Sequence, residues 1–250
     1  MHLHVGNQLS MAKYTKNKFS HWCLRHADAI VLLAYRFESL LKEYWKDVKV
    51  PTKVIYNACK NKTNEHLLEK RGNNILFVGR FTSNKAADVL IRAFAIVHKK
   101  YPEWRIKFLA DGPEWPTCVS LIKELGVEDK IDLPGFLFGK EKDTCFLEAD
   151  IFCLCSYYEG FPMVVLEAWS YGLPVVSTPV GGLPDVVREG SNGFFYNYGD
   201  VAGLAEKLDL LMGNPELRKN MGAYSREFVK STFSPEIISK QISNLYNNLL

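Results

Sequence analysis

From residue 74 onward the chain alternates short apolar runs with segments of helical periodicity, and this alternation restricts the fold more than any other feature. Residues 75–79 (ILFVG) form a strand-length apolar run; after a polar turn, residues 86–100 put Val89, Leu90, Ala93, Phe94 and Val97 on one helical face. Further strands are predicted at 105–110, 130–133, 151–155, 174–177 and 193–196, with helices over 117–125, 140–149 and 163–171 between them. Gly126 and Gly172 stop two of those helices. Parallel neighbours need crossover connections, so six short strands interleaved with helices predict an α/β fold whose parallel sheet is covered on both faces. Such sheets bind ligands beyond the carboxyl ends of their strands. The loops after Gly79, Ala110, Leu133, Cys155 and Thr178 are therefore where a site is expected. Residues 201–250 predict two or three helices, broken near Asn214-Pro215 and Ser234-Pro235.

Ahead of residue 74 the pattern is thinner. Strands are predicted at 1–5, 29–33 and 53–56, and helices at 18–26 and 37–44. A stretch of about 60 residues buries only a marginal core, so it reads as part of a domain. Its surface also differs. Residues 1–73 carry 13 Lys and Arg against 6 Asp and Glu, a net +7, whereas residues 74–250 carry 18 against 22, a net −4. A basic segment can meet nucleic acid, anionic lipid or a phosphorylated substrate, or can simply be solvated. The longest apolar stretches, 29–35 and 163–168, fall well short of the roughly 20 residues of a bilayer-spanning helix. Residues 1–6 lack the pattern of a secretory signal, which leads to an expected cytoplasmic location. The six cysteines, including Cys153 and Cys155 alternating along an apolar run, have neither disulfide-framework nor metal-ligand spacing and read as free thiols.

The most informative segment is Glu159-Gly160-Phe161-Pro162-Met163-Val164-Val165-Leu166-Glu167. One glutamate falls in the loop after a buried strand and the other about one turn into the next helix. Pro162 suits a first helical turn, where a missing N–H costs nothing. The free N–H groups and positive dipole end at Phe161 to Val164 suit an anion such as phosphate, and a carboxylate one turn further on could reach a sugar hydroxyl. A plainer alternative has Glu159 capping the helix and Glu167 in a surface ion pair.

This segment resembles the E-x7-E signature of the family 4 glycosyltransferases, a retaining group with the GT-B fold of two Rossmann-like domains. Gly79-Arg80-Phe81 with Lys85 is similar to the family's strand-end Gly-Arg and downstream Lys. Asp111-Gly112-Pro113, Gly135-Phe136, Gly172-Leu173-Pro174, Gly181-Gly182-Leu183-Pro184 and Asn192-Gly193 match further segments of its donor domain. The resemblance implies an acceptor-side, partial N-terminal domain at 1–57, a linker at 58–73, a complete donor-binding domain at 74–232 and a C-terminal helix at 233–250. It places Arg80, Lys85 and the backbone of Gly160, Phe161, Pro162, Met163 and Val164 on the donor diphosphate. Glu167 falls on the ribose, Gly135 and Phe136 beside the base, and Glu159 against the transferred sugar. His2-Leu3-His4-Val5-Gly6 resembles the family's N-terminal H-x-H-G strand end, which gives His4 a catalytic position near sugar and acceptor; packing is the alternative for this histidine. Tyr56, Ala58, Ala86 and Ala110 stand where the family often has other residues, glycine at the last two.

What the resemblance implies is transfer of a sugar from a nucleotide diphosphate sugar to a saccharide or lipid-linked saccharide hydroxyl, with retention, in cell-surface polysaccharide or glycoconjugate synthesis. No D-x-D triplet occurs, so no metal and no cofactor beyond the donor substrate is expected; two cations can offset the charge growing on the leaving diphosphate. The sequence also lacks G-x-G-x-x-G after a strand, H-E-x-x-H, G-x-S-x-G and a P-loop. The basic first segment suggests peripheral contact with an anionic membrane on its inner face, and no nucleic-acid partner is expected. Two rivals stay open: a nucleotide-sugar-binding remnant or partner-dependent half-enzyme, and a GT-B sugar epimerase that needs no acceptor.

Overall fold

The computed structural model of the chain describes residues 18–62 and 72–249. Its first part runs α1 (Lys18–Arg25), β1 (Ile30–Leu32), α2 (Arg36–Tyr44) and β2 (Thr52–Val54), with β1 and β2 paired in parallel, Val31 opposite Lys53. The strand expected at 1–5 lies outside the described residues.

The larger part follows the predicted alternation: β3 (Asn74–Arg80), α3 (Ala87–Val97), β4 (Arg105–Asp111), α4 (Trp115–Glu124), β5 (Ile131–Asp132), α5 (Gly139–Glu148), β6 (Ala149–Leu154), α6 (Met163–Ser170), β7 (Val175–Ser177), α7 (Leu183–Val186) and β8 (Gly193–Phe195). Three helices close the chain: α8 (Val201–Met212), α9 (Pro215–Thr232) and α10 (Pro235–Asn247). Their breaks have a visible cause. The side chains of Asp200, Asn214 and Ser234 accept from Gly203, Leu217 and Ile237 N–H at 2.9, 2.9 and 3.4 Å, and proline takes the first helical position of the last two.

All six strands β3–β8 are parallel, in the spatial order β5-β4-β3-β6-β7-β8. The chain builds outward from β3 through β4 to β5, then crosses to the other side of β3 to lay down β6, β7 and β8. The reversal point between β3 and β6 is where the loops diverge and leave a crevice. Side-chain alternation divides the core in two. Leu76, Leu109, Phe152 and Leu154 join Phe146, Val165 and Trp169 on one face. Ile75, Phe77, Ile106, Phe108 and Ile151 join Leu90, Phe94, Leu204 and Leu208 on the other. Each such side chain contributes about 1.5–3 kcal/mol on burial, and the central strand β6 is buried along its whole length, as expected of a parallel sheet.

The first part of the chain is docked onto the first of these cores. Ile30, Leu32, Ala34, Phe37 and Trp45 belong to the same buried cluster as Phe161 and Phe233. On the other side of β1, Val31 and Ile55 pack against Ile238 of α10, so the last helix returns to cover the first strands.

Candidate active site

The loops after β3 and β6 meet at the reversal point, held together by Asn84. Its side chain accepts from Tyr158 N–H at 3.1 Å and donates to the Tyr158 carbonyl at 3.3 Å, while its own carbonyl accepts from Tyr157 N–H at 2.7 Å. This clamp aligns the residues one position further on, and Lys85 Nζ donates to Glu159 Oε1. Ser156 Oγ donates to the same oxygen at 2.7 Å. Lys85 and Glu159 are both largely buried, so the pair gains from a lower local dielectric than a surface pair would. The aliphatic stem of Lys85 lies over Gly79.

Glu167 stands about one turn into α6 and pairs with Lys142 of α5 at 2.7 Å, again at the edge of solvent. The two glutamates of the motif thus each hold one lysine. The ion-pair alternative for Glu167 is realised, but the capping alternative for Glu159 is not, since α6 has no side-chain cap. Pro162 sits at the N-cap with φ −71° and ψ 103°, one residue ahead of the helical turn expected for it, and its carbonyl receives Val165 N–H at 3.0 Å. Among the described residues no acceptor meets the N–H groups of Gly160, Phe161, Met163 or Val164, which leaves the helix start as a set of donors with the positive dipole end behind them. The Phe161 ring is buried, tilted against Tyr56 at 5.3 Å and Phe233 at 6.0 Å; only its backbone is available to a ligand.

Glycine is required where this loop meets the next. Gly181 has φ +57°, and a Cβ there would lie 2.1 Å from the Gly160 carbonyl oxygen, which accepts from Gly182 N–H at 2.9 Å. The same turn receives the first part of the chain: Arg36 Nη1 donates to the Gly181 carbonyl at 3.2 Å, and Tyr35 N–H donates to Asp185 Oδ2 at 2.7 Å.

Arg80 ends β3, exposed, in register with Asp111 of β4. Gly135 (φ +80°) and the exposed Phe136 occupy the loop between β5 and α5, just ahead of the helix that carries Lys142 to Glu167. His4 lies outside the described residues. Around Glu167 the neighbours form a network. Tyr171 Oη donates to Asp143 Oδ1 at 2.6 Å and Lys62 Nζ pairs with the same oxygen at 3.2 Å. Burial alone would raise the Asp143 carboxyl, but these two donors outweigh it and hold it below the usual carboxylate range. Burial, then the nearby Glu167, pushes the Cys59 thiol up to about 11. Ala58 avoids the left-handed region; among the described residues only Asn73 and Ala86 enter it without being glycine.

Sequence reasoning did not find Asn84, Ser156 or Lys142. Ser156-x-x-Glu159 has the spacing of a capping box, but here the two side chains bond each other and not the backbone. Lys142 carried no signal, because 25 residues and a sheet crossover separate it from Glu167.

A six-stranded parallel sheet with its loops meeting at the reversal point, leaning on a second α/β unit, is the architecture of the GT-B proteins. The Anabaena protein HepE, solved in complex with UDP, superimposes with a TM-score of 0.84 over 99% of this chain and 71% of that one, at 20% identity. The glycosyl transferases group 1 family matches residues 60–228, and the chain belongs to that family. Its sequence is 32% identical over 178 residues to the N-acetyl-alpha-D-glucosaminyl L-malate synthase of Bacillus anthracis, covering 70% of this chain and 45% of that protein. An uncharacterized glycosyltransferase of Haemophilus influenzae is 32% identical over 202 residues, covering 80% of this chain and 56% of that protein. The chain spans about half the length of these curated relatives. No helix among the described residues is long and apolar enough to cross a membrane.

Proposed function

We propose that this chain carries the donor site of a family 4, retaining glycosyltransferase that moves a sugar from a nucleoside diphosphate sugar to a hydroxyl of a saccharide or lipid-linked saccharide. The observation that carries the reading is the convergence, at one reversal point, of the paired Lys85 and Glu159, the unpartnered N–H groups at the start of α6 and the paired Lys142 and Glu167. Charge accumulates on the diphosphate as the glycosidic bond breaks. Fixed cations and backbone dipoles aimed at it lower the barrier because they need no reorganisation during the reaction. Arg80, Lys85 and the 160–164 backbone take that role, and two cations in place of a metal fit the absence of a D-x-D triplet. Glu159 faces the transferred sugar. Lys142 occupies Oε2 of Glu167, so Oε1 is left to accept from the ribose hydroxyls. Gly135 and Phe136 lie beside the base, and His4 takes the acceptor side.

Thermal-shift titration with UDP, GDP and ADP tests the reading. A diphosphate at 100 times its dissociation constant adds about 2.7 kcal/mol, which at roughly 2–4 °C per kcal/mol for a chain of this size gives a rise of about 5–10 °C. Arg80→Ala and Glu167→Ala are expected to remove most of that rise without lowering the unliganded midpoint by more than a degree or two. A cooperative melt that no diphosphate shifts would overturn the donor assignment.

A further inference from the structure

We propose that Tyr157, Tyr158 and Tyr198 form a saccharide-binding platform beside the donor site, and that the groove beyond Tyr198 extends it to further sugar rings; this rests on the transferase reading above. Large aromatic rings are exposed at some cost and are grouped here. Tyr157 is 57% exposed, Tyr158 43% and Tyr198 46%. Tyr157 packs on Tyr198 with ring centroids 4.9 Å apart and meets Tyr158 edge-on at 6.2 Å. An exposed cluster of this kind marks a contact surface.

The platform is anchored by bonds that leave the side chains of Tyr157 and Tyr158 unused. Asn84 fixes Tyr157 and Tyr158 through their backbone groups, and Tyr198 Oη reaches the Ser83 carbonyl at 3.4 Å. The hydroxyls of Tyr157 and Tyr158 are thus left for a ligand, and the contacts among the rings limit the side-chain freedom lost on binding. Tyr158 immediately precedes Glu159, which ties the platform to the proposed sugar position.

The chemistry of a sugar ring matches what is offered. One face of a pyranose presents C–H groups, which suit the negative face of an aromatic ring, and its rim presents hydroxyls, which need paired donors and acceptors. Tyr198 also lines a groove of about 700 Å³ between α3 and α4, walled by Ser83, Asp88, Arg92, Glu114 and Ser120. Carboxylates, a guanidinium and hydroxyls from both helices, interspersed with the apolar Phe81, Ala87, Pro116 and Leu121, give the groove the mixed lining that the hydroxyls and C–H faces of a sugar ring require. A platform that leads into such a groove fits a chain of sugars rather than one.

A glycan array of linear α- and β-linked hexose and N-acetylhexosamine oligomers tests this, read with and without UDP, GDP or ADP. The wild-type chain is expected to retain at least one oligomer, longer ones more tightly. Tyr157→Ala and Tyr158→Ala should weaken that binding about tenfold, while Tyr157→Phe and Tyr158→Phe stay within about threefold. The thermal shift with nucleoside diphosphate should be the same in all four variants, which keeps this result separate from the donor assignment. Alanine variants that bind oligomers as the wild type does overturn the platform, and so does a wild type that responds to a nucleoside diphosphate yet retains no oligomer. If no diphosphate shifts the chain but oligomers are retained and the alanine variants lose them, the platform stands and the donor reading falls.

Discussion

The two sheets of the molecule satisfy their hydrophobic faces in different ways. The six-stranded sheet is covered by its own helices: α3 and α8 supply Leu90, Phe94, Leu204 and Leu208 on one side, α5 and α6 supply Phe146, Val165 and Trp169 on the other. Among the described residues the two-stranded sheet is covered only in part by its own helices, through Leu24 of α1 and Phe37, Leu40 and Leu41 of α2. All three residues of β1 are buried, yet Ile30 and Leu32 belong to a cluster shared with Phe161 and Phe233, and Val31 packs on α10. The larger part therefore folds around its own core, and the smaller one folds against it. The joint between them is also the back wall of the 160–164 loop, because Phe161 contributes its backbone to the proposed donor site and its ring to the shared core.

That dependence is broken most directly at Phe233. Its ring meets Tyr56 at 5.5 Å, Phe161 at 6.0 Å, Trp169 at 6.5 Å and Phe228 at 5.4 Å, and its carbonyl accepts from Cys59 N–H at 2.8 Å. Phe233→Ala removes a fully buried ring at the centre of this group and should cost about 3–5 kcal/mol. At roughly 2–4 °C per kcal/mol the midpoint falls by about 10 °C. Calorimetry should show one lowered transition, because both parts lose the same contacts. Two transitions, with only the smaller moving, would mean that the first part folds independently of the second.

A smaller effect is expected at the polar end of the joint. Asp185 accepts from Tyr35 N–H at 2.7 Å, just ahead of α2. The site is exposed, so Asp185→Ala should cost about 1 kcal/mol, the net worth of an ordinary hydrogen bond and below that of a buried bond to a charged group. Hydrogen exchange across residues 35–44 should quicken while β3 to β8 stay protected. Equal quickening in both regions would contradict the asymmetry between them.

The asymmetry also governs what could be read from the sequence. In the larger part, period and punctuation agree locally: ILFVG becomes β3, Val89 to Val97 becomes the buried face of α3, and the proline breaks become helix starts. The motif residues were legible for the same reason, since Glu159 and Glu167 are tied to one strand, one loop and one helix. Their partners were not. Lys142, Asn84 and the Arg36–Gly181 contact join residues 25, 74 and 145 positions apart, and which loops become neighbours depends on the sheet order, which a single sequence does not display. Nor could the reading show that Phe161 faces the core, because nothing in its neighbours distinguishes a ring packed on Tyr56 from one turned to a ligand.

The finest test of the larger part's self-sufficiency lies at Ala86, at the junction of the Lys85 loop and α3. Its φ of +44° and ψ of 50° place it in the left-handed region, where a Cβ costs about 1–2 kcal/mol. Replacement by glycine would release that strain. Against it stand the greater backbone freedom of glycine in the unfolded chain, about 0.4–1 kcal/mol, and the lost burial of a methyl that is 4% exposed and packed within the α3–α8 core, about 0.8 kcal/mol. The three contributions nearly cancel, so Ala86→Gly should move the midpoint by no more than about 2 °C. A clear rise would mean that the methyl packs poorly and that the loop carrying Lys85 is held under net strain. A clear fall would mean that the core around Leu90 and Leu204 depends on that methyl, and that the turn is kept in its left-handed form by packing from the larger part alone.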